Sequence, residues 1–234
     1  MTTSASAPPA PTGASAAADA ARGVANAVYL SKHRIEGLTD GIFAVAMTLL
    51  VIELKLGEHG AITNAGQLQH ALVALLPKGL AWIISFFVLA FFWLGHHRLF
   101  QHVRHVDARM LWANIGMLCA ASLMPFSSAL VGEHAGAFVS QCFYAGNMIV
   151  LSATALAMLI IARRSPVLLT APLSNAVYVG SRFRIVSLIA ISMVAIVIAS
   201  FAPAFATIVF ALMPLVGQIS RRLAAKAAAA EAAT

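Results

Sequence analysis

The chain has 234 residues, of which 61% are hydrophobic and only 10% charged, and its mean hydropathy is +0.88. A soluble domain carries about 25% charged residues, so a water-facing surface cannot be built here, and a soluble enzyme, a secreted disulfide scaffold and a disordered protein are excluded. The net charge of +7 fits the Lys- and Arg-rich loops of a membrane protein better than a nucleic-acid binder.

Residues 1–26 are Ala, Ser, Pro, Thr and Gly with few large apolar side chains. Such a stretch cannot bury enough surface to fold, and it shows neither the basic start nor the apolar run of a signal peptide. We therefore expect a disordered cytoplasmic segment over residues 1–30, a six-helix transmembrane domain over 31–220 and a cytoplasmic tail over 221–234. A bilayer core needs roughly 20 apolar helical residues. Six stretches meet this: Gly37–Leu56, Gly79–Gly95, Met110–Val131, Phe138–Ala162, Ile185–Phe201 and Ala202–Gly217. The last two are short and separated only by Ala202-Pro203, where proline breaks the helix and permits a tight hairpin. The fold class is all-α, an integral membrane six-helix bundle.

Charge sets the expected orientation. Lys32, Arg34, Arg98, Arg104, Arg109, Arg163, Arg164, Arg182, Arg184, Arg221, Arg222 and Lys226 fall on one side, joined by Arg22. The other side holds Lys55 and Lys78, at span edges where they can snorkel. Both termini are then cytoplasmic by the positive-inside rule, in the cell membrane. Cys119 and Cys142 lie in apolar stretches and read as small buried hydrophobes.

The first span differs from the rest. It carries Asp40 near one end and Glu53 near the other. An intramembrane acid is a functional-site candidate, and the alternative is that Asp40 pairs with Arg34 or caps the helix start. Gly37, Gly41, Ala44 and Ala46 allow another helix to come close. Val45, Leu49 and Ile52 fall at i, i+4 and i+7 on one stripe, with Thr48 on its flank. Periodicity leaves both helix packing and a pore lining open for that stripe.

Among the other motifs, His96, His97, His102 and His105 crowd the turn after span two, near Trp93. A metal or haem site, a proton sensor and an interfacial polar cluster are the readings, and without accompanying carboxylates or cysteines we expect no metal. Trp82, Trp93 and Trp112 are expected at membrane interfaces or in packing. No Gly-x-Ser-x-Gly, His-Glu-x-x-His or paired intramembrane carboxylates occur, which argues against an enzyme. No carbonyl-lined filter such as Thr-Val-Gly-Tyr-Gly is present.

The stretch Arg34-x-x-x-Leu38-Thr39-Asp40-Gly41, followed by Phe43-Ala44-Val45-Ala46-x-Thr48-Leu49-Leu50, resembles the signature of the transmembrane protein 175 family, the lysosomal potassium channel family. Its hallmark is Arg-x-x-x-Phe-Ser-Asp, and this chain has Leu38 for the Phe and Thr39 for the Ser. Phe91-Phe92-Trp93-Leu94-x-His96-His97-Arg98-Leu99-Phe100, Asn114 and Pro125-Phe126 are also similar to the family. The resemblance implies a six-helix, single-repeat prokaryotic form that assembles as a homotetramer, with the first helix lining the pore. It implies a hydrophobic gate of Val45, Leu49 and Ile52, and a hydroxyl layer at Thr48 that selects cations. It implies a polar network of Arg34, Thr39 and Asp40 with the ends of spans two and three, at His96 and Asn114. The implied function is a potassium-selective, weakly discriminating monovalent cation channel. Its partners would be further copies of itself, membrane lipids and potassium ions, with no nucleic acid and no cofactor beyond the permeant ion. A proton-conducting channel and a secondary transporter are the alternatives.

Overall fold

The computed structural model describes residues 32–55 and 64–232. The expected N-terminal segment over residues 1–30 lies outside the described residues. Six helical segments are long and apolar enough to cross a membrane: Lys32–Ile52, Leu76–Phe100, Ala108–Glu133, Phe138–Arg164, Asn175–Ala199 and Pro203–Glu231. The chain is a multi-pass membrane protein.

The first helix, α1 (Lys32–Ile52), buries Ile35, Thr39, Phe43, Ala46 and Leu50. These fall three or four apart, so they form one face, which packs on the second and third spans. The segment before span two contains a short helix, α2 (Ala65–Ala74), which the hydropathy pattern does not announce. The Asn64 side chain caps it by accepting the Gln67 amide at 2.9 Å, satisfying a donor that a helix start leaves open. Helix α3 (Leu76–Phe100) follows at once, with Pro77 in its first turn, where the missing N–H costs nothing.

The third span comes in two pieces, α4 (Ala108–Ser122) and α5 (Met124–Glu133). Pro125 cannot donate to the preceding turn, so the α-helical ladder breaks just before it. Asp107 caps α4 by accepting the Met110 amide at 2.9 Å. Helix α6 (Phe138–Arg164) runs as expected. Helix α7 (Asn175–Ala199) begins ten residues before the expected Ile185. Arg182 and Arg184 therefore lie within the helix, not in a loop. The Arg184 guanidinium is accommodated over the Phe91 ring, 5.2 Å from its centroid, a cation–π placement.

Ala202-Pro203 makes the expected hairpin. The last span opens with a single turn, α8 (Pro203–Ala206), continues as 3₁₀ helix over Thr207–Leu212 and ends as α9 (Met213–Ala232). Pro214 removes a backbone donor at the 3₁₀-to-α junction. Helix α9 runs unbroken past the boundary expected at residue 220. It lies along α7: Ser220 Oγ donates to the Gly180 carbonyl at 2.7 Å and Glu231 accepts the Asn175 amide at 2.7 Å. A Cβ on Gly180 would stand 3.1 Å from Ala224 Cβ, so a glycine permits that approach.

The bundle divides into α1, α3, α4 and α5 on one side and α6, α7 and α9 on the other, joined through α4 and α5 against α6. Phe43, Leu89, Met117, Tyr144, Met148 and Leu151 fill the buried core. At the basic end two loops are stitched together: Arg104 N donates to Leu168 O at 2.7 Å and Thr170 N to His102 O at 2.8 Å. At the opposite end Lys78 Nζ meets a Glu133 carboxylate oxygen at 2.9 Å, so Lys78 is paired with protein where snorkelling was expected.

Candidate functional site

Helix α1 has more exposed faces than a peripheral helix needs. Behind the buried face, Val45, Leu49 and Ile52 are 55%, 41% and 55% exposed. The stripe points away from its own bundle. Gly37, Gly41 and Ala44 are exposed on the neighbouring flank, and Gly37, Gly41, Val45 and Leu49 line an open groove whose other wall includes Ser122.

Thr48 is exposed beside the stripe. Its hydroxyl donates to the Val45 carbonyl at 2.8 Å. This is the local back-bond that Thr often makes inside a helix, taken to residue i−3 rather than to Ala44. The proton is thereby directed along the helix, and the oxygen lone pairs remain for another donor or a cation.

The buried side of α1 is anchored by polar groups. Thr39 is fully buried and exchanges hydrogen bonds with Asn114 of α4: Asn114 Nδ2 donates to Thr39 Oγ1 at 3.2 Å. The Asn114 side chain also faces the His96 imidazole, with Asp40 and His97 close by. His96 is 6% exposed and stacks on Phe100 with ring centroids 4.0 Å apart. One residue along α1, Asp40 accepts the Trp93 indole N–H at 2.8 Å, and Trp93 stacks on His97 at 5.9 Å. Arg34 lies in the first turn of α1 on an exposed face.

The structure thus brings Thr39, Asp40, His96 and Asn114 together where α1, α3 and α4 meet. Asp40 lies in the third turn of α1, so it does not cap the helix start. Trp93, expected at an interface or in packing, is the hydrogen-bond donor to Asp40. Its place in the segment Phe91–Phe100 is the signal in the sequence that points to this role. The four histidines separate: His96 is buried in the network, His97 stacks on Trp93, and His102 bonds to the Arg98 carbonyl at 3.0 Å. Among the described residues no three His, Cys, Asp or Glu side chains converge on one point.

A network of this kind does one mechanical thing. It fixes the rotation of α1 about its axis at the basic end, because Thr39 and Asp40 point toward different partners. Rotation fixes which residues lie on the exposed stripe.

Comparison with known proteins agrees with this arrangement. The sequence model of the family described as endosomal/lysosomal potassium channel TMEM175 matches residues 34–125, the stretch that holds α1, Trp93, His96 and Asn114. A potassium channel of Chamaesiphon minutus is 38% identical over 116 residues, covering 48% of this chain and 57% of that one. A potassium channel of Chryseobacterium sp. is 38% identical over 103 residues, covering 44% and 50%. The human endosomal/lysosomal proton channel TMEM175 is 32% identical over 117 residues, covering 48% and 22%. The matched region spans about half the length of these bacterial relatives. In three dimensions the chain is similar to the crystal structure of a lysosomal potassium-selective channel TMEM175 homolog from Chamaesiphon minutus. The TM-score is 0.67 at 28% identity, covering 81% of this chain and 97% of that one. The motif of α1 and its polar partners on α3 and α4 fall within the stretch that resembles the TMEM175 family, and the six-span fold is similar to that of the solved homolog.

Proposed function

We propose that the protein is a potassium-permeable cation channel formed by four copies of the chain, with α1 at the axis. The observation that carries this is the stripe of Val45, Leu49 and Ile52, turned away from its own subunit on an uncharged stretch of helix. One helix per subunit cannot enclose a pore, so the stripe needs copies of itself around an axis. The bacterial relatives are named potassium channels and the solved neighbour is described as potassium-selective, which supports potassium as the ion.

The physics is coherent. A ring of aliphatic side chains stops ions by dewetting. Opening requires a modest rotation or dilation of α1, and the Thr39–Asn114 and Asp40–Trp93 bonds set its resting orientation. Selectivity falls to Thr48, whose four hydroxyl oxygens would offer a weak dipole ring. Potassium sheds water more readily than sodium, so such a ring favours potassium. The basic end, with Arg98, Arg104, Arg109, Arg163 and Arg164, faces the cytoplasm by the positive-inside rule, in the cell membrane.

The test is ion flux through the purified protein in liposomes. Potassium flux exceeding sodium flux, driven by the potassium gradient alone, is expected. Flux that requires a second ion moving in a fixed ratio would replace the channel with a transporter. Because the mammalian relatives are named proton channels, a pH gradient belongs in the same measurement. Crosslinking adds the assembly: Leu49→Cys should form bonds between subunits under oxidation, and a strictly monomeric protein in mild detergent and in liposomes would remove this reading.

A further inference from the structure

Behind the polar network lies a crevice of about 40 Å³ between α3, α6 and α7. A site for one water takes about 10–15 Å³ on this measure, so there is room for a few waters or one small oxyanion. The crevice has two chemistries. Phe91, Met158 and Leu188 give it apolar walls, while His96, Arg184 and Ser181 bring polar groups to it.

Two of these polar groups lack what burial demands. The Nε2 of His96 is buried with no hydrogen-bond partner, although the residue is 6% exposed. Arg184 is largely buried, and no carboxylate pairs with it among the described residues. Its guanidinium rests on the Phe91 ring and lies alongside Gly95, 3.7 Å from where a Cβ would stand. Arg98 adds a second positive charge nearby. An unpaired cation within a membrane span is costly, and such residues find partners. The partner that fits is an oxyanion: a guanidinium binds phosphate in a forked geometry, and an imidazole with its proton on Nε2 supplies a further donor. No acidic side chain lines the crevice to repel it.

We propose that this crevice binds a phosphate oxyanion, held by Arg184, His96 Nε2 and the Ser181 hydroxyl. The phosphate can come from the headgroup of an anionic phospholipid or from inorganic phosphate. Arg184 sits in the half of α7 nearest the basic end. Occupation would also act on α1, since His96 faces Asn114, which bonds to Thr39. That last consequence rests on the pore reading; the binding itself does not.

The experiment measures binding, so its failure is distinct from a failure to conduct. The full-length protein is purified in mild detergent, offered phosphatidylglycerol or phosphatidylcholine, and its retained lipid counted by native mass spectrometry. Preferential retention of phosphatidylglycerol is expected. Arg184→Gln should reduce that retention about tenfold, Arg184→Lys less, and Arg222→Gln on the exposed part of α9 not at all. Gly95→Leu fills the crevice while keeping Arg184, and it should also abolish retention, which keeps the test open if Arg184→Gln does not fold. Inorganic phosphate is then added as competitor. Displacement of the lipid assigns the site to the free oxyanion, and no displacement assigns it to the headgroup. Equal retention of the two lipids with no adduct of inorganic phosphate, or retention unchanged in folded Arg184→Gln or Gly95→Leu, would overturn the site.

Discussion

Two polar clusters brace this bundle, and they differ in whether α1 takes part. The basic-end cluster joins Thr39 and Asp40 of α1 to Trp93 and His96 of α3 and to Asn114 of α4. The second lies among α3, α4, α5 and α6. There Ser85 Oγ bonds to Ser128 Oγ at 3.0 Å and to the Tyr144 hydroxyl at 3.1 Å, and Asn147 Nδ2 donates to Ser127 Oγ at 3.2 Å and to the Ala120 carbonyl at 3.1 Å. Both contain amides and hydroxyls that would be costly alone in an apolar interior, and the first adds the Asp40 carboxylate, the Trp93 indole and the His96 imidazole. Their mechanical meaning differs. The second cluster clamps the frame. The first sets the rotation of a helix whose far side is bare.

Matched asparagines provide the largest contrast. Asn114→Leu leaves Thr39 without its cross-helix partner, and Asn147→Leu removes the cross-helix bonds to Ala120, Met124 and Ser127 within the frame. Each is expected to lower stability by about 1–2 kcal/mol, the scale of lost buried hydrogen bonds in proteins and membranes, read by thermal unfolding in mild detergent. The conduction readout separates them: Asn114→Leu should change channel opening, and Asn147→Leu should leave it as in the wild type. Equal effects on conduction would mean that the two clusters are one scaffold.

The bare side of α1 comes next. Leu49→Asn places an amide in the apolar stripe and favours water there. Resting cation leak should rise roughly tenfold, a barrier lower by about 1.4 kcal/mol. Unchanged or lower leak in a folded protein would return the stripe to helix packing. A still smaller effect is expected in the frame. Tyr144→Phe removes one hydroxyl and leaves the Ser85–Ser128 bond intact, so its stability should fall by about 0.6 kcal/mol, with conduction unchanged.

These two regions are also unequally legible in the sequence. The spans are readable because twenty apolar residues in water have no alternative. The stripe is readable because helical period is local. Sequence misleads where a side chain's partner is remote. Arg182 and Arg184 look like loop residues because a charge in a span is costly, yet Phe91 of another helix receives Arg184. Lys78 looks like a snorkelling edge residue, yet Glu133 stands 55 positions away in the chain. Trp93 and Asp40 are 53 positions apart, and Thr39 and Asn114 are 75 apart. No periodicity links such pairs, and family resemblance alone supplies Thr39, Asp40, His96 and Asn114 as a set. The second cluster has no motif at all: Ser85, Ser128 and Tyr144 are ordinary residues whose meaning arises only from packing.

The smallest expected effect is at Thr48, and the geometry explains why it should be small. The hydroxyl proton is engaged with the Val45 carbonyl, so it is not offered to an anion or a water beside the helix. The lone pairs face outward, and four of them around an axis would interact with a partly dehydrated cation as weak neutral dipoles. Thr48→Ala deletes those oxygens and keeps a good helix former, so the assembly and total conductance should persist. The preference for potassium over sodium should fall by no more than about threefold, roughly 0.6 kcal/mol at tenfold per 1.4. Thr48→Ser is the sharper partner variant, because it restores the oxygen and omits only the methyl group. Reversal potentials in bilayers under bi-ionic conditions measure all three proteins. Loss in Thr48→Ala with recovery in Thr48→Ser assigns selectivity to the oxygen. A reversal potential that does not move in either variant leaves the hydroxyl as a helix back-bond and places discrimination in the aliphatic rings, where it would arise from pore width alone.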